Sequence, residues 1–95
     1  MKVVVSAGAL DDMKRLFEFL AAKDVRSGQR AIDAVEHAIQ SISELPRRGR
    51  PSGMSGVREL IIPFGRAAYI LRYAQDSGRD EIVILRLWHS REERL

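Results

Sequence analysis

The pattern of hydrophobic and polar positions along the chain predicts one strand, two helices and then three strands. Residues 2–6 form a short β-branched run, which is typical of a strand. Two stretches follow in which apolar residues recur at the three- and four-residue spacing of amphipathic helices. The first stripe consists of Ala9, Leu10, Met13, Leu16, Phe17, Leu20 and Ala21. The second consists of Ala31, Ile32, Val35, Ala38, Ile39, Ile42 and Leu45.

Capping and helix-breaking residues predict where these helices begin and end. Ser6 is a suitable N-cap for the first helix, and either Asp24 or Ser27 for the second. The second helix is expected to end at Pro46, because the residue before a proline avoids the helical region. Residues 46–56 contain two prolines and three glycines, and they are predicted to form a loop.

The last third of the chain is predicted to consist of strands joined by short turns. The strands cover residues 57–62, 66–73 and 81–89. Short connections between successive strands favour antiparallel pairing. The predicted fold is therefore α+β in the order β-α-α-β-β-β, a single domain over residues 1–95. A helical hairpin would pack on one face of a small, mainly antiparallel sheet.

Charge is distributed unevenly, although the net charge of the 95 residues is only +3. Residues 1–45 carry six Lys and Arg against seven Asp and Glu, whereas residues 46–95 carry ten against six. All ten cations of the second half are arginines. Because the guanidinium fork suits phosphate and carboxylate groups, the second half is expected to contact an acidic partner or a polyanion.

Composition also excludes several kinds of site. The chain has no cysteine, which rules out disulfides and thiol chemistry, and its histidines, His37 and His89, are far apart. No metal or other cofactor is therefore expected. The apolar runs are far shorter than the roughly 20 residues that span a membrane, so a cytoplasmic protein without a membrane partner is expected.

Strand alternation predicts which arginines share a face of the sheet. In the last strand it places on one face Ile82, Ile84, Arg86 and Trp88. One hypothesis is that the open face of the sheet is a basic surface made by Arg58, Arg66, Arg72 and Arg86. The alternative is that these arginines pair with acids on neighbouring strands, such as Glu59 or Glu81.

Three further side chains permit both a functional and a structural interpretation. His89 ends the last strand, where it would act as a general acid or bond to the backbone or to a tail acid such as Glu92 or Glu93. Trp88 and Tyr73 would stack on a nucleic-acid base or fill the core. The sequence leaves these alternatives open.

Several segments together resemble a known family. They are the opening VVVSAGALDDMKRLFEFL, the helix-ending LPRRGRP, the strand VREL, the segment FGRAAYILRY, and the final EIVILRLWHSREER. In their order and spacing they resemble toxins of the RelE/ParE superfamily from bacterial type II toxin–antitoxin systems, which contribute to plasmid stabilization. The resemblance implies a compact α+β toxin that an antitoxin neutralises by wrapping a disordered acidic or amphipathic segment over the helical hairpin and the sheet.

The resemblance leaves two mechanisms to distinguish. RelE-like members cleave messenger RNA on the ribosome, and in some of them an arginine and a histidine match Arg66 and His89. ParE-like members inhibit DNA gyrase without nuclease chemistry. The glutamate base of the nucleases has no counterpart in residues 47–51, and the second half lacks their lysine pair and C-terminal tyrosine. These departures favour a non-enzymatic toxin of the ParE branch.

The resulting expectations concern two protein partners, a gyrase subunit and a ParD-like antitoxin with a ribbon-helix-helix N-terminus. No sequence-specific binding of nucleic acid is expected, and toxin and antitoxin would form a hetero-oligomer. The expected gyrase-binding residues are Arg58, Arg66, Arg72, Arg86, His89 and Arg91, with the tail to Leu95. The expected antitoxin-binding residues are Leu16, Phe17, Leu20, Arg72 and Trp88. For Leu16, Phe17 and Leu20 the alternative is a position in the core alone. The alternatives are a RelE-like endonuclease and an inactive remnant that only binds antitoxin.

Overall fold

The computed structural model describes residues 1–91, and within them the chain forms five strands and two helices. In chain order they are β1 (Lys2–Val5), α1 (Ala7–Lys23), α2 (Val25–Glu44), β2 (Arg50–Pro51), β3 (Val57–Phe64), β4 (Ala67–Asp76) and β5 (Glu81–His89). Both helices pack on one face of a five-stranded mixed sheet. The predicted α+β class and the order of its main elements are confirmed.

The strands are arranged in the order β1-β5-β4-β3-β2. β1 runs parallel to β5, while every other neighbouring pair is antiparallel. β2 lies inside the segment predicted to be a loop, where Arg50 pairs with Glu59 and Pro51 with Arg58. A proline is tolerated at this position because β2 is the edge strand.

The helix boundaries follow the predicted capping residues. Ser6 accepts a hydrogen bond from the backbone N–H of Ala9 at 3.1 Å, and its hydroxyl donates to the carbonyl oxygen of Leu85 at 3.0 Å. Ser6 therefore both caps α1 and ties it to β5. Asp24 is the N-cap of α2, since its carboxylate accepts from the backbone N–H of Arg26 at 3.0 Å.

The core lies between the helices and the face of the sheet that they cover. The central strand β4 contributes Tyr69, Leu71 and Tyr73, which are at most 1% exposed. The other fully buried members come from both helices and from β5, and they are Ala9, Ala31, Val35, Ile42, Ile82, Ile84 and Leu87. Tyr73 and Tyr69 are thus core residues, and the base-stacking interpretation of Tyr73 is wrong.

A β-bulge in β5 changes which of its side chains face the helices. Tyr73 pairs with Ile84, but the adjacent Arg72 pairs with Arg86, so the register shifts by one residue. A bulge adds one residue to one strand and thereby reverses the alternation beyond it. Leu87 consequently joins the core, and the predicted common face of Ile82, Ile84, Arg86 and Trp88 is wrong.

Candidate functional site

An apolar groove opens between the second half of α1 and the end of the sheet formed by β3, β4 and β5. Its volume is about 690 Å³. The apolar part of its lining consists of Leu16, Phe19, Leu20, Phe64 and Tyr69. The remaining lining residues are Arg15, Lys23, His89 and Arg91, so among residues 1–91 every permanently charged side chain on its wall is a cation. We refer to this feature as the α1 groove.

Three rings of the α1 groove pack against one another, and a fourth is largely exposed. The ring of Tyr69 lies 5.3 Å from that of Phe64 and 5.6 Å from the imidazole of His89, the latter edge-on. Phe19 is 57% exposed, and the Lys23 ammonium lies 4.4 Å from the centre of its ring. An exposed aromatic side chain in a groove with a cationic rim is suited to an amphipathic segment that carries carboxylates.

His89 has a defined orientation in the groove. Its Nδ1 accepts a hydrogen bond from the backbone N–H of Arg91 at 3.1 Å. Because Nδ1 acts as the acceptor, the neutral imidazole carries its proton on Nε2. Backbone bonding of this kind corresponds to the structural interpretation of His89 considered above.

The face of the sheet away from the helices carries a different set of contacts. Trp88 and Ile70 pair across β5 and β4 and lie outside the core cluster. The guanidinium of Arg72 lies 4.9 Å from the centre of the Trp88 ring and donates from Nε and Nη2 to one carboxylate oxygen of Glu59, at 3.1 and 2.8 Å. The Arg72 guanidinium is therefore bound by side chains of the two neighbouring strands, β3 and β5.

The side chain of Asp12 takes the place of a neighbouring strand at the edge of β5, because it accepts a backbone hydrogen bond from that strand. β1 ends beside Ile84, and beyond that point one carboxylate oxygen of Asp12 accepts from the backbone N–H of Leu87 at 2.9 Å and from Nε of Arg86 at 2.7 Å. The other oxygen accepts from Nη2 of Arg86 at 3.1 Å. These hydrogen bonds and the negative charge raise the pKa of Arg86 above its ordinary value. Asp12, only 4% exposed, thus ties α1 to the edge of β5.

Two kinds of feature are absent from the part of the chain that the structure describes. Within residues 1–91, no group of three or more His, Asp or Glu side chains is placed so as to hold a metal ion. In the same residues, neither α1 nor α2 has the length and apolar character needed to cross a membrane.

Comparison with known families shows which family the chain belongs to. The family described as the ParE toxin of the type II toxin-antitoxin system parDE matches residues 3–94. The chain belongs to this ParE toxin family. It is accordingly a toxin of a type II toxin–antitoxin system, and a system of this type supplies a protein antitoxin as its partner.

Two known proteins are similar to this chain. Toxin RelE1 of Caulobacter vibrioides is 38% identical over 92 residues, which cover 97% of this chain and 96% of that protein. A solved structure of the chromosomal ParDE system from P. aeruginosa superposes with a TM-score of 0.73 at 18% identity, over 94% of this chain and 95% of that one. The second similarity establishes the shared fold.

The structure contradicts the hypothesis that four arginines of this ParE family toxin share the open sheet face. Arg58 pairs with Tyr73, so it lies on the face covered by the helices, and its Nη1 donates to the carbonyl oxygen of Gly49 at 2.7 Å. Arg66 lies exposed in the turn between β3 and β4. Arg86 is bound to Asp12. The alternative, pairing with acids on neighbouring strands, is confirmed for Arg72 through Glu59. Arg86 instead pairs with Asp12, an acid on α1 that this alternative did not include.

The two residues that match the nuclease members lie at the same end of the sheet. Ser90 and Ala68 exchange hydrogen bonds, which place the chain after His89 beside the start of β4 and near Arg66. Arg66 is not part of the lining of the α1 groove, whereas His89 is. The predicted contribution of the tail concerns residues 92–95, which lie outside the described residues.

The expected antitoxin-binding residues of the toxin are divided between the two faces. Leu16 and Leu20 line the α1 groove, but Leu16 is also a member of the core cluster, and Leu20 and Phe17 both pack against that cluster. Arg72 and Trp88 lie on the opposite face of the sheet. Sequence reasoning missed the most exposed aromatic side chain of the groove, Phe19. The sequence feature that indicates this exposure is the position of Phe19 outside the apolar stripe of α1, because an apolar residue outside the stripe points away from the core.

Proposed function

We propose that this toxin acts by inhibiting DNA gyrase, without catalytic chemistry of its own. The observation that carries the proposal is that residues 47–51 contain three arginines and no acid, so the nucleases' glutamate base has no counterpart there. Ribonuclease chemistry needs a base for the ribose hydroxyl, an acid for the leaving oxygen and cations at the phosphate. Since gyrase is a cytoplasmic enzyme, we propose the cytoplasm as the site of action.

Exposed cations at one end of the sheet support this proposal. Arg66 and Arg91 are both exposed, and they belong to the predicted target surface at the same end of the sheet. Arg58, Arg72 and Arg86 already bind groups within the fold. We therefore propose that contact with gyrase involves the turn at Arg66 and the chain around Arg91.

A supercoiling assay tests this function. The purified toxin is expected to inhibit supercoiling by DNA gyrase and to trap cleaved DNA, and addition of the antitoxin is expected to restore activity. Replacement of Arg66 and Arg91 by glutamine should weaken inhibition, whereas Arg26→Gln, on the exposed N-terminal turn of α2, should not. Unchanged supercoiling at excess toxin would reject the proposal.

A second candidate is a ribosome-dependent endonuclease, which the name of the Caulobacter relative, Toxin RelE1, favours. In this function Arg66 would stabilise the phosphate and His89 would act as the acid.

Primer extension on transcripts after toxin induction separates the two functions, because codon-phased cuts lost in His89→Ala would support the nuclease. Induced DNA damage with intact messages would support gyrase inhibition. Normal growth after induction without antitoxin would indicate an inactive remnant.

We also propose that the antitoxin, of ParD type, places an amphipathic acidic segment in the α1 groove. Apolar side chains of the segment would contact Leu16, Phe19 and Leu20, and its carboxylates would face Arg15 and Lys23. A disordered segment that folds on binding needs such an apolar anchor, because it loses conformational entropy when it becomes ordered.

The contribution of Phe19 can be measured against that of another exposed residue of α1. Phe19→Ala is expected to weaken antitoxin binding by about tenfold or more, because exposed aromatic anchors are frequent hot spots. Leu10 is 60% exposed on the same helix but is not part of the groove lining. Leu10→Ala should change the dissociation constant by less than about twofold, and equal losses in the two variants would contradict the proposed site.

A further inference from the structure

A second cavity, which the proposed function does not use, lies at the opposite end of the sheet. It is formed where the segment from Arg47 to Val57 folds beside the end of β4, and its volume is about 630 Å³. β3 runs from this cavity, at Val57, to the α1 groove, at Phe64. At the rise of a β-strand the two sites are roughly 20 Å apart. We refer to the second cavity as the loop cleft.

The charged side chains of the loop cleft are two arginines. Arg47 and Arg58 line it together with the polar groups of Ser55, Gln75 and Ser77. Of the lining residues, all of which belong to the described part of the chain, none is aspartate or glutamate. Next to Gln75 and Ser77 in the chain, Asp76 accepts from the backbone N–H of Arg79 at 3.3 Å and pairs with its side chain.

A buried tyrosine holds one of these arginines in place. The hydroxyl of Tyr73, whose side chain is buried, donates to the carbonyl oxygen of Pro46 at 2.6 Å and accepts from the backbone N–H of Gly49 at 2.9 Å. The carbonyl oxygen of Gly49 in turn accepts from Nη1 of Arg58 at 2.7 Å. The Arg58 guanidinium is therefore ordered before any ligand arrives, and a preorganised donor loses little entropy on binding.

The shape of the loop is also compatible with a ligand beside its backbone. Gly53 and Gly56 have φ values of +95° and +74°, and nothing lies within 4 Å of a Cβ placed on either residue. The backbone N–H of Val57 donates to the carbonyl oxygen of Met54 at 3.1 Å, which closes the turn between them. The two glycines thus leave open space at the rim of the cleft.

We propose that the loop cleft binds a phosphate group, with Arg58 as the fixed donor and the exposed Arg47 as the second one. Two guanidinium groups with hydroxyl and amide donors around them match the several oxygens and the double negative charge of a phosphate. A single guanidinium already satisfies a carboxylate through two parallel hydrogen bonds. The phosphate belongs either to a free nucleotide or to the backbone of a nucleic acid, because backbone contacts of this kind are independent of sequence.

Phosphate binding can be followed on the full chain by NMR titration. Inorganic phosphate, added at constant ionic strength against sodium chloride, is expected to shift the backbone amide signals of Gly53, Ser55 and Gly56 in a saturable manner. Arg47→Gln should weaken this binding about tenfold, since it removes an exposed charged donor that makes no ion pair within residues 1–91. Arg26→Gln is the matched control, because it makes the same charge change at the other end of α2, and it should weaken binding by less than about twofold.

Adenosine monophosphate and a short single-stranded RNA identify the source of the phosphate. Tighter binding of the RNA that weakens steeply with salt supports a nucleic-acid backbone. Binding of the mononucleotide that equals or exceeds that of the RNA supports a free nucleotide. Equal losses in Arg47→Gln and Arg26→Gln, or shifts that do not saturate, would overturn the phosphate site.

Discussion

Asp12→Ala is expected to lower the free energy of unfolding by about 3 kcal/mol, which is a large fraction of the total for a domain of this size. The substitution leaves the buried backbone N–H of Leu87 without its acceptor, and it removes the partner of Arg86. The expected loss lies at the lower end of the range for buried pairs because the Arg86 side chain is 44% exposed and can be rehydrated. Urea unfolding of the purified chain measures the effect.

Two related substitutions separate the contributions of charge and hydrogen bonding. Asp12→Asn keeps an acceptor for Leu87 but loses the charge, so its effect should lie between those of the wild type and Asp12→Ala. Asp11→Ala changes the adjacent, exposed carboxylate and should alter stability by less than about 0.5 kcal/mol. If Asp11→Ala and Asp12→Ala are equally destabilising, Asp12 does not secure the edge of β5.

Gly49→Ala is expected to destabilise the protein by about 2–3 kcal/mol. A Cβ on Gly49 would lie 2.7 Å from the Tyr73 hydroxyl oxygen, 2.8 Å from its ring and 3.0 Å from the carbonyl oxygen of Glu59. Tyr73 is buried and cannot move aside without breaking its hydrogen bonds to Gly49 and Pro46. Thermal and urea unfolding should both report the loss.

The chain provides a matched control for this substitution. A Cβ on Gly78 would meet only the carboxylate oxygen of Asp76, at 3.5 Å, which is an ordinary contact. Gly78→Ala is therefore expected to be neutral, or stabilising by up to about 1 kcal/mol through the unfolded state. In a Tyr73→Phe background Gly49→Ala should cost less, because the nearest of the clashing atoms, the hydroxyl oxygen, is gone. Additive effects would show that the clash with the hydroxyl is unimportant.

Most of the secondary structure could be predicted because its determinants are local. The two stripes of apolar residues, the caps at Ser6 and Asp24 and the break at Pro46 all act within a few residues. β2 was missed because two residues without a hydrophobic pattern become a strand only through pairing with β3. The bulge in β5 was missed for the same reason, since strand alternation says nothing about register.

The candidate site could be predicted only in part. Leu16 and Leu20 line the α1 groove, and their contact with an antitoxin stays a prediction. The grouping of the arginines was wrong, because strand register and partner acids decide where each guanidinium points. Arg86 binds Asp12, which is 74 positions away in the chain, and nothing local to either residue indicates that pairing.

By itself, then, the sequence determined the two helices, the main strands and the uneven distribution of charge. It also contained the family resemblance that the comparison later confirmed. These features depend on short-range periodicity, on capping and on composition. Only the tertiary structure decided how the arginines of the second half are distributed. Some bind groups within the fold, Arg86 binds Asp12 at the edge of β5, and the others lie on two separate surfaces. The physical reason is that a guanidinium binds whichever carboxylate, carbonyl or solvent the packing of distant segments brings within reach.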